Sequence, residues 1–410
     1  MPALVLNLET VAHQFKSHKI RLMHQENQPK KTMLPFCERD SALSAIRVVH
    51  ITEALGGGVL YLLHQLIKAQ VDAGHDVTLV HSSRQLVGTP ASEILDQLFP
   101  SPISRVVIPM TTHISVKDDF KSFQGIAELL RVLQPDVIHL HSSKAGALGR
   151  VAARFVGYKK SLNYSPHGFS FLRQDCSQLK RMMFFAFEVI GGLFGGNIIA
   201  SSASEGKLAN KVVGYHRVSV VENCTDVQAF TCSKSTPENG VKVMSAGRLC
   251  YQKAPWRFWE LAASLILEDA AFIWIGDGEL RKQLEEDATD AKVQVTGWID
   301  RNGLWSEMYE ADVFVMTSLW EGMPLTLLDA QALGLPAVVS DVVGCRDVVL
   351  DGVTGFICKS DAELIEKTRL LVRDATLRVR MGEAAKSMAL ERFSIIRMHR
   401  EIMNSYGLIP

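Results

Sequence analysis

The chain predicts two doubly wound α/β domains of similar size facing a central cleft, and three observations carry that expectation. Short β-rich runs alternate with helical patterns of about 10–15 residues along most of its length. The rhythm breaks once, at the polar, proline-containing stretch 226–240 (DVQAFTCSKSTPENG), and then restarts. A length of 410 residues suits two or three domains of roughly 150 residues each.

Residues 1–45 hold polar runs such as HQENQPKK without a sustained period, and read as a poorly ordered extension. The first domain is expected over 46–228. Ile46–Thr52 is a short apolar run suited to a buried parallel strand, Val59–Ala73 a helical pattern, and Asp76–Ser82 a second strand. Asp136–His141, Leu162–Ser165, Asn197–Ser201 and Arg217–Val221 follow as strands, with Ser142–Phe155 as a helix. The linker is placed at 229–240 and the second domain at 241–392. Its strands are Val241–Ala246, Ala271–Ile275, Lys292–Thr296, Asp312–Thr317, Ala337–Asp341 and Gly355–Cys358. Residues 393–410 close the chain as a helix expected to pack back towards the first domain. Open α/β sheets take ligands at the carboxyl ends of their strands, so the cleft is the default site.

The 44 basic and 44 acidic residues cancel, yet residues 1–230 carry +6 and residues 231–410 carry −6. A neutral total argues against binding DNA or RNA through global positive charge, and 47% hydrophobic content excludes a disordered chain. The seven cysteines are scattered with no C-x-x-C, which indicates reduced thiols of a cytosolic protein rather than a zinc site or disulfide framework. No secretory signal pattern opens the chain.

The positive excess sits in residues 150–181, where Arg150, Arg154, Lys159, Lys160, Arg173, Lys180 and Arg181 face a single acid, Asp175. This stretch leads into Met182–Ala200, MMFFAFEVIGGLFGGNIIA. Glu188, Asn197 and the pairs Gly191-Gly192 and Gly195-Gly196 make it a buried helix, a break and a short strand rather than a membrane span. Two readings of the junction stand side by side. One is a solvated basic face followed by a core helix; the other is attachment of residues 150–190 to an anionic membrane surface.

Five segments could carry chemistry. Thr52–Gly58 (TEALGGG) follows the first strand and opens a helix, where Gly57 and Gly58 let backbone N–H groups approach an anion. Tyr61 occupies the place of the third glycine of a dinucleotide fingerprint, which disfavours a dehydrogenase. His167, in SPHGF, ends a strand and can hydrogen-bond a hydroxyl or phosphate in the cleft, or serve structure alone. Arg248 and Lys253 follow the first strand of the second domain and suit a diphosphate, as a planar fork and a point charge. Asp277, in GDGE, lies in a βα turn. In WEGMPLTLLD, Pro324 suits the first helical position, which places Glu321 before the helix and Asp329 on it, able to hold hydroxyls at two points of one ligand.

In this order, the glycine loop at 56–58, PDVIHLH at 135–141, His167-Gly168, Gly247-Arg248 with Lys253, Gly276-Asp277-Gly278, Glu321 with Asp329, and GVTGF at 352–356 resemble the retaining GT-B glycosyltransferases of glycosyltransferase family 4 (glycosyl transferases group 1). The resemblance covers roughly residues 46–407 and is most specific over 244–358. It implies a GT-B fold and a hexosyltransferase-type enzyme that moves a sugar from a nucleotide-sugar donor, a UDP-sugar favoured, to a glycan or lipid-linked acceptor in surface polysaccharide or glycoconjugate synthesis. The donor would sit mainly on the C-terminal domain and the acceptor on the N-terminal one, in a cytoplasmic protein, peripheral on the inner membrane face in the second reading above.

By the same resemblance, Arg248 and Lys253 would bind the diphosphate and stabilise the departing nucleoside diphosphate. Glu321 would bind donor-sugar hydroxyls, with backbone N–H groups of Gly322, Met323 and Leu325 after and around Pro324 near phosphate or sugar. Asp329 would bind the ribose, His167 would contact the donor sugar, and Gly57 and Gly58 would admit the phosphate. Base and sugar choice would depend on side chains around Trp298 and Ile299. No cofactor or metal is expected. Three departures stand out: Asp329 where Glu is usual, Cys224 in place of a loop glycine, and Ala254 in place of the glycine after Lys253. Retention would run by front-face attack or through a covalent intermediate, and the lack of an obvious nucleophile favours the former. The competing readings are another GT-B enzyme (a sugar-nucleotide epimerase or an inverting transferase) or a non-catalytic nucleotide-sugar-binding scaffold.

Overall fold

The computed structural model describes residues 45–53, 55–82, 92–100, 102–111, 113–227, 240–287 and 292–407. The expected extension, apart from Ala45, and the expected linker, apart from Gly240, lie outside the described residues.

The first sheet is built from β1 (Arg47–Thr52), β2 (Asp76–His81), β3 (Ser104–Val107), β4 (Val137–His141), β5 (Ser161–Ser165), β6 (Asn197–Ala200) and β7 (Val218–Val220). Their order is β3-β2-β1-β4-β5-β6-β7 and every pairing is parallel. The helices between them are α1 (Gly57–Asp72), α2 (Ser92–Leu98), α3 (Val116–Leu133), α4 (Ser143–Phe155), α5 (Gln178–Leu193) and α6 (Ala203–Val213). In the second half, β8 (Val241–Ala246), β9 (Ala270–Ile275), β10 (Val293–Val295), β11 (Val313–Met316), β12 (Ala337–Ser340) and β13 (Gly355–Cys358) pair in the order β10-β9-β8-β11-β12-β13, again parallel. Its helices are α7 (Pro255–Ser264), α8 (Arg281–Asp287), α9 (Arg301–Tyr309), α10 (Leu325–Ala332), α11 (Cys345–Val348), α12 (Asp361–Arg373), α13 (Ala375–Arg392) and α14 (Ile395–Ser405).

The central strands are unbroken apolar runs because helices cover both faces; every residue of β4 and β11 is buried. The strand β3 is one the sequence hides. It is four residues long and carries Arg105, whose guanidinium is buried against Asp96 of α2. Helix α3 is announced by Ser115, which caps it by accepting a hydrogen bond from the Asp118 N–H.

Two local expectations need correction. Pro324 is the N-cap residue of α10, with extended backbone, so the helix begins one residue later than the position a proline favours. Helix α5 is not a core helix: of its sixteen residues Glu188, Gly191 and Gly192 are buried, while Leu179, Met182, Phe187, Ile190 and Leu193 are exposed. Its first glycine pair lies inside the helix, where a Cβ on Gly191 would stand 2.5 Å from the buried Arg150 guanidinium; the second pair forms the turn into β6. Arg150 in turn meets Glu188 at 3.0 Å, and the Tyr164 hydroxyl donates to Glu188 at 2.9 Å, so the one acid of the apolar stretch is spent on an internal ion pair. Among the described residues no helix is long and apolar enough to cross a membrane.

The last helix ties the two halves together. Ser394 caps α14, and Met398, Ile402 and Met403 bury its apolar face against α1 of the first domain, at about 1.5–3 kcal/mol for each side chain fully buried. Arg397 donates to the carbonyls of Glu222 and Asn223, and Arg392 pairs with Glu222. One continuous apolar cluster includes Leu60 and Leu63 of α1, Leu327 and Leu328 of α10, and Met398 of α14.

Candidate active site

In each sheet the strand order reverses beside its first strand, between β1 and β4 and between β8 and β11, and ligand crevices form at such switch points. The loops that leave these strands carry most of the residues singled out above. Gly57 opens α1 at φ +52, and Gly58 lies against the Leu325 side chain, 3.6 Å from where its Cβ would stand. The walls of the two domains approach closely at Gly322: a Cβ there would stand 2.7 Å from both the His167 carbonyl carbon and the Gly168 nitrogen, so only glycine permits this approach. Asn223 adds a bridge by donating to the Met323 carbonyl at 2.9 Å.

Beyond β8, a short 3-10 turn over Tyr251–Lys253 brings Lys253 to Glu321, with Nζ 2.7 Å from Oε1. Burial pulls the Lys253 pKa down, but the charge and hydrogen bond of Glu321 outweigh it and hold the ammonium above its ordinary value. Gln252 fixes the same loop by donating to the Trp320 carbonyl at 2.9 Å. Arg248 behaves differently: its side chain is 43% exposed and only loosely paired, 3.8 Å from Glu279. Lys253 is thus buried and committed to Glu321, while Arg248 is partly exposed.

Asp329 is held inside the protein. It is fully buried, its Oδ1 accepting from Thr225 at 2.6 Å and from Arg301 at 3.0 Å. Burial pushes its carboxyl upwards, against Arg301 and Thr225, which stabilise the charge. Arg301 lies between the rings of Tyr61 and Trp305, 4.9 Å from each centroid, and so joins the two domains. Asp277 Oδ2 accepts from Arg281 at 2.8 Å, and Trp298 and Ile299 stand exposed beyond β10.

On the opposite wall, His167 takes a left-handed conformation (φ 54), and its Nε2 lies 3.0 Å from His141 Nδ1. Burial pulls the His167 pKa down to about 4, so the ring is neutral near pH 7. Gly168 donates its N–H to the buried Glu205 at 2.7 Å, which holds the loop. Glu53, at the end of β1, accepts from the Ala145 N–H at 3.0 Å, and burial raises its pKa to about 7 despite that bond and Lys144.

The sequence reading missed Gln252, Arg301 and the histidines behind His167. The signal for the last was present: His139 and His141 alternate onto one face of β4, and His50 is the register partner of His139 on β1. Among the described residues, His50, His139 and His141 are the one group whose ligating atoms approach closely enough for a metal ion. All six of their ring nitrogens have hydrogen-bond partners within the protein.

Two Rossmann-like domains with their switch points turned to one cleft define a GT-B architecture. HepE of Anabaena, solved with UDP and glucose, superposes with a TM-score of 0.70 at 17% identity, covering 88% of this chain and 99% of that one. Sucrose-phosphate synthase from Thermosynechococcus elongatus gives 0.71 at 17% identity over 88% and 98%. Residues 56–229 match the family model Glycosyltransferase Family 4, and residues 229–388 match Glycosyl transferases group 1. The chain is a glycosyltransferase, and it belongs to the GT-B glycosyltransferases of family 4. It is 28% identical over 78% of its length, and 88% of the relative, to the UDP-Gal:alpha-D-GlcNAc-diphosphoundecaprenol alpha-1,3-galactosyltransferase of Escherichia coli. It is 26% identical, over 77% and 84%, to the GDP-mannose:cellobiosyl-diphosphopolyprenol alpha-mannosyltransferase of Xanthomonas campestris.

Proposed function

We propose that the protein is a retaining glycosyltransferase that moves a sugar from a UDP-sugar to a lipid-linked sugar acceptor in surface polysaccharide synthesis. The observation that carries this reading is the Lys253–Glu321 pair at the carboxyl ends of β8 and β11, with Arg248 beside it and the His167-Gly168 peptide packed against Gly322. Negative charge grows on the diphosphate as the glycosidic bond breaks, and preorganised cations lower the energy of that state. Arg248 is free to clasp the diphosphate, and Lys253 is held in place by the carboxylate that would also receive donor hydroxyls. These two cations supply the positive charge, so the reading requires no metal. Backbone N–H groups of Gly322, Met323 and Leu325 lie at the amino end of α10, an end that favours anions. Gly57 and Gly58 stand at the same end of α1, and Trp298, Ile299 and Asp277 border the donor side. Asp329 acts through Arg301. The names of both polyprenol-linked relatives support a lipid-linked acceptor.

The exposed face of α5 supports a membrane-bound acceptor. Leu179, Met182, Phe187, Ile190 and Leu193 share their helix with the exposed cation Lys180, a composition suited to anionic lipid at about 1 kcal/mol per cation.

A panel of UDP-, GDP- and ADP-sugars, read by nucleotide release with and without acceptor, tests the donor. Product anomeric configuration by NMR tests retention. Glu321→Ala or Lys253→Ala releasing nucleotide as fast as wild type defeats the site assignment. Flotation with anionic liposomes tests the membrane surface, which is wrong if Lys180→Glu/Met182→Glu floats as well as wild type.

A further inference from the structure

Behind His167 the buried imidazoles form one directed hydrogen-bonded chain. Gln70 Oε1, on α1, lies 2.8 Å from His50 Nε2; His50 Nδ1 lies 2.9 Å from His141 Nε2; His141 Nδ1 lies 3.0 Å from His167 Nε2. A branch leaves Gln70 Nε2 for the Tyr406 hydroxyl at 3.2 Å, continues to His139 Nδ1 at 2.9 Å, and ends with His139 Nε2 at 2.8 Å from Ser165 Oγ. His167 Nδ1 has no hydrogen-bond partner among the described residues.

A neutral imidazole has one N–H and one lone pair, so each bond in such a chain dictates the next. The Gln70 oxygen can only accept, which places the His50 proton on Nε2. His50 Nδ1 then accepts, placing the His141 proton on Nε2, and His141 Nδ1 places the His167 proton on Nε2 in the same way. The branch agrees with this direction. Gln70 Nε2 donates to Tyr406, whose hydroxyl donates to His139 Nδ1 and leaves His139 Nε2–H to donate to Ser165. All four histidines then hold the Nε2–H form, the intrinsically favoured tautomer of neutral histidine. Running the chain backwards would impose the less favoured form on all four. Burial keeps the rings neutral: it pulls His50 and His167 down to about 4, and His139 and His141 well below their ordinary value.

We propose that Gln70, His50 and His141 are positioning residues that lock the His167 proton on Nε2, so that Nδ1 offers the cleft a lone pair. The ring then accepts a hydrogen bond from a hydroxyl and has no N–H to give a phosphate oxygen. The inference rests on the sugar-transfer reading of the cleft, and it gives a physical reason for the contact between His167 and the donor sugar that the resemblance implies.

Long-range proton–nitrogen correlation spectra of the full chain, labelled at histidine, read each tautomer without any substrate, and His167→Asn assigns the His167 signals. Wild type is expected to show His167 as a single Nε2–H form. His141→Phe keeps a ring in the stack but removes the acceptor, and His167 is expected to lose its single tautomer. Gln70→Glu, isosteric and able only to accept towards His50, is expected to retain it. An Nδ1–H or averaged His167 in wild type overturns the lock, as does a His167 unaltered by His141→Phe. A locked His167 in a protein that releases nucleotide from no donor leaves the lock standing and counts against the sugar-transfer reading alone.

Discussion

Lys253 Nζ stands 2.7 Å from Glu321 Oε1, with the two side chains only 18% and 8% exposed, so the cation proposed for the diphosphate and the carboxylate proposed for the donor sugar neutralise each other before any ligand arrives. Removing one member leaves a buried charge alone. Lys253→Met is therefore expected to cost about 3 kcal/mol of stability as well as about 100-fold or more in nucleotide release. The double variant Lys253→Met/Glu321→Gln removes both charges. Urea melts should show it recovering much of the lost stability, while donor turnover stays as low as in the single variant. Recovery of turnover in the double variant would separate Lys253 from the chemistry.

Asp329 and Arg301 make a second buried pair, and here the carboxylate is fully buried. Its replacement should act through the guanidinium it holds against Tyr61. Asp329→Ala is expected to destabilise the protein by about 3 kcal/mol. The donor KM should rise no more than Arg301→Ala raises it, because both lose the same bridge between domains. A much larger KM effect for Asp329→Ala, measured by initial rates over a donor series, would mean that Asp329 meets the ribose itself.

The architecture was legible because buried parallel strands advertise themselves as short apolar runs: β8 and β13 have the bounds read from Val241–Ala246 and Gly355–Cys358. The elements missed were those in which tertiary partners override pattern. Arg105 sits in β3 paired with Asp96, and α5 leaves an apolar surface exposed while hiding its one acid. The cations and carboxylate of the site were legible as types in order along the chain. What no spacing could convey was their pairing, which commits Lys253 to Glu321 and buries Asp329 under Arg301. The histidine chain depends on a strand register and on Tyr406 returning from 265 residues beyond His141, which local sequence does not encode.

Ala254 shows what one departure in the sequence costs. It stands at φ 45, ψ 55 as the cap of α7, a left-handed conformation that penalises a Cβ by about 1–2 kcal/mol. Glycine would relieve that strain but would loosen the unfolded chain by about 0.4–1 kcal/mol. Ala254→Gly is thus expected to stabilise the protein by about 0.5–1 kcal/mol, with Lys253 and the rate of nucleotide release unchanged. A lower urea midpoint for the variant would show that the methyl group contributes packing that outweighs its strain.

The buried histidines make stability depend on pH in a direction that can be worked out. His50 and His167 are held near 4, and His139 and His141 well below 6.5, in each case first by burial. Between about pH 6.5 and pH 4 the unfolded chain therefore binds protons that the native rings refuse, and stability rises with pH. Each such histidine contributes a slope of about 1.4 kcal/mol per pH unit inside that window and none above it. Glu53 works the opposite way: raised to about 7, it is protonated in the native state and ionised in the unfolded one between about pH 4.5 and 7. Comparing wild type with a variant isolates one group from this opposition. His50→Gln, studied by urea unfolding at pH 7, 6 and 5, should lose stability on acidification less steeply than wild type, by up to about 1.4 kcal/mol per pH unit. Equal slopes for the two proteins would mean that His50 takes up its proton in the fold as readily as in the unfolded chain, and that burial does not keep it neutral.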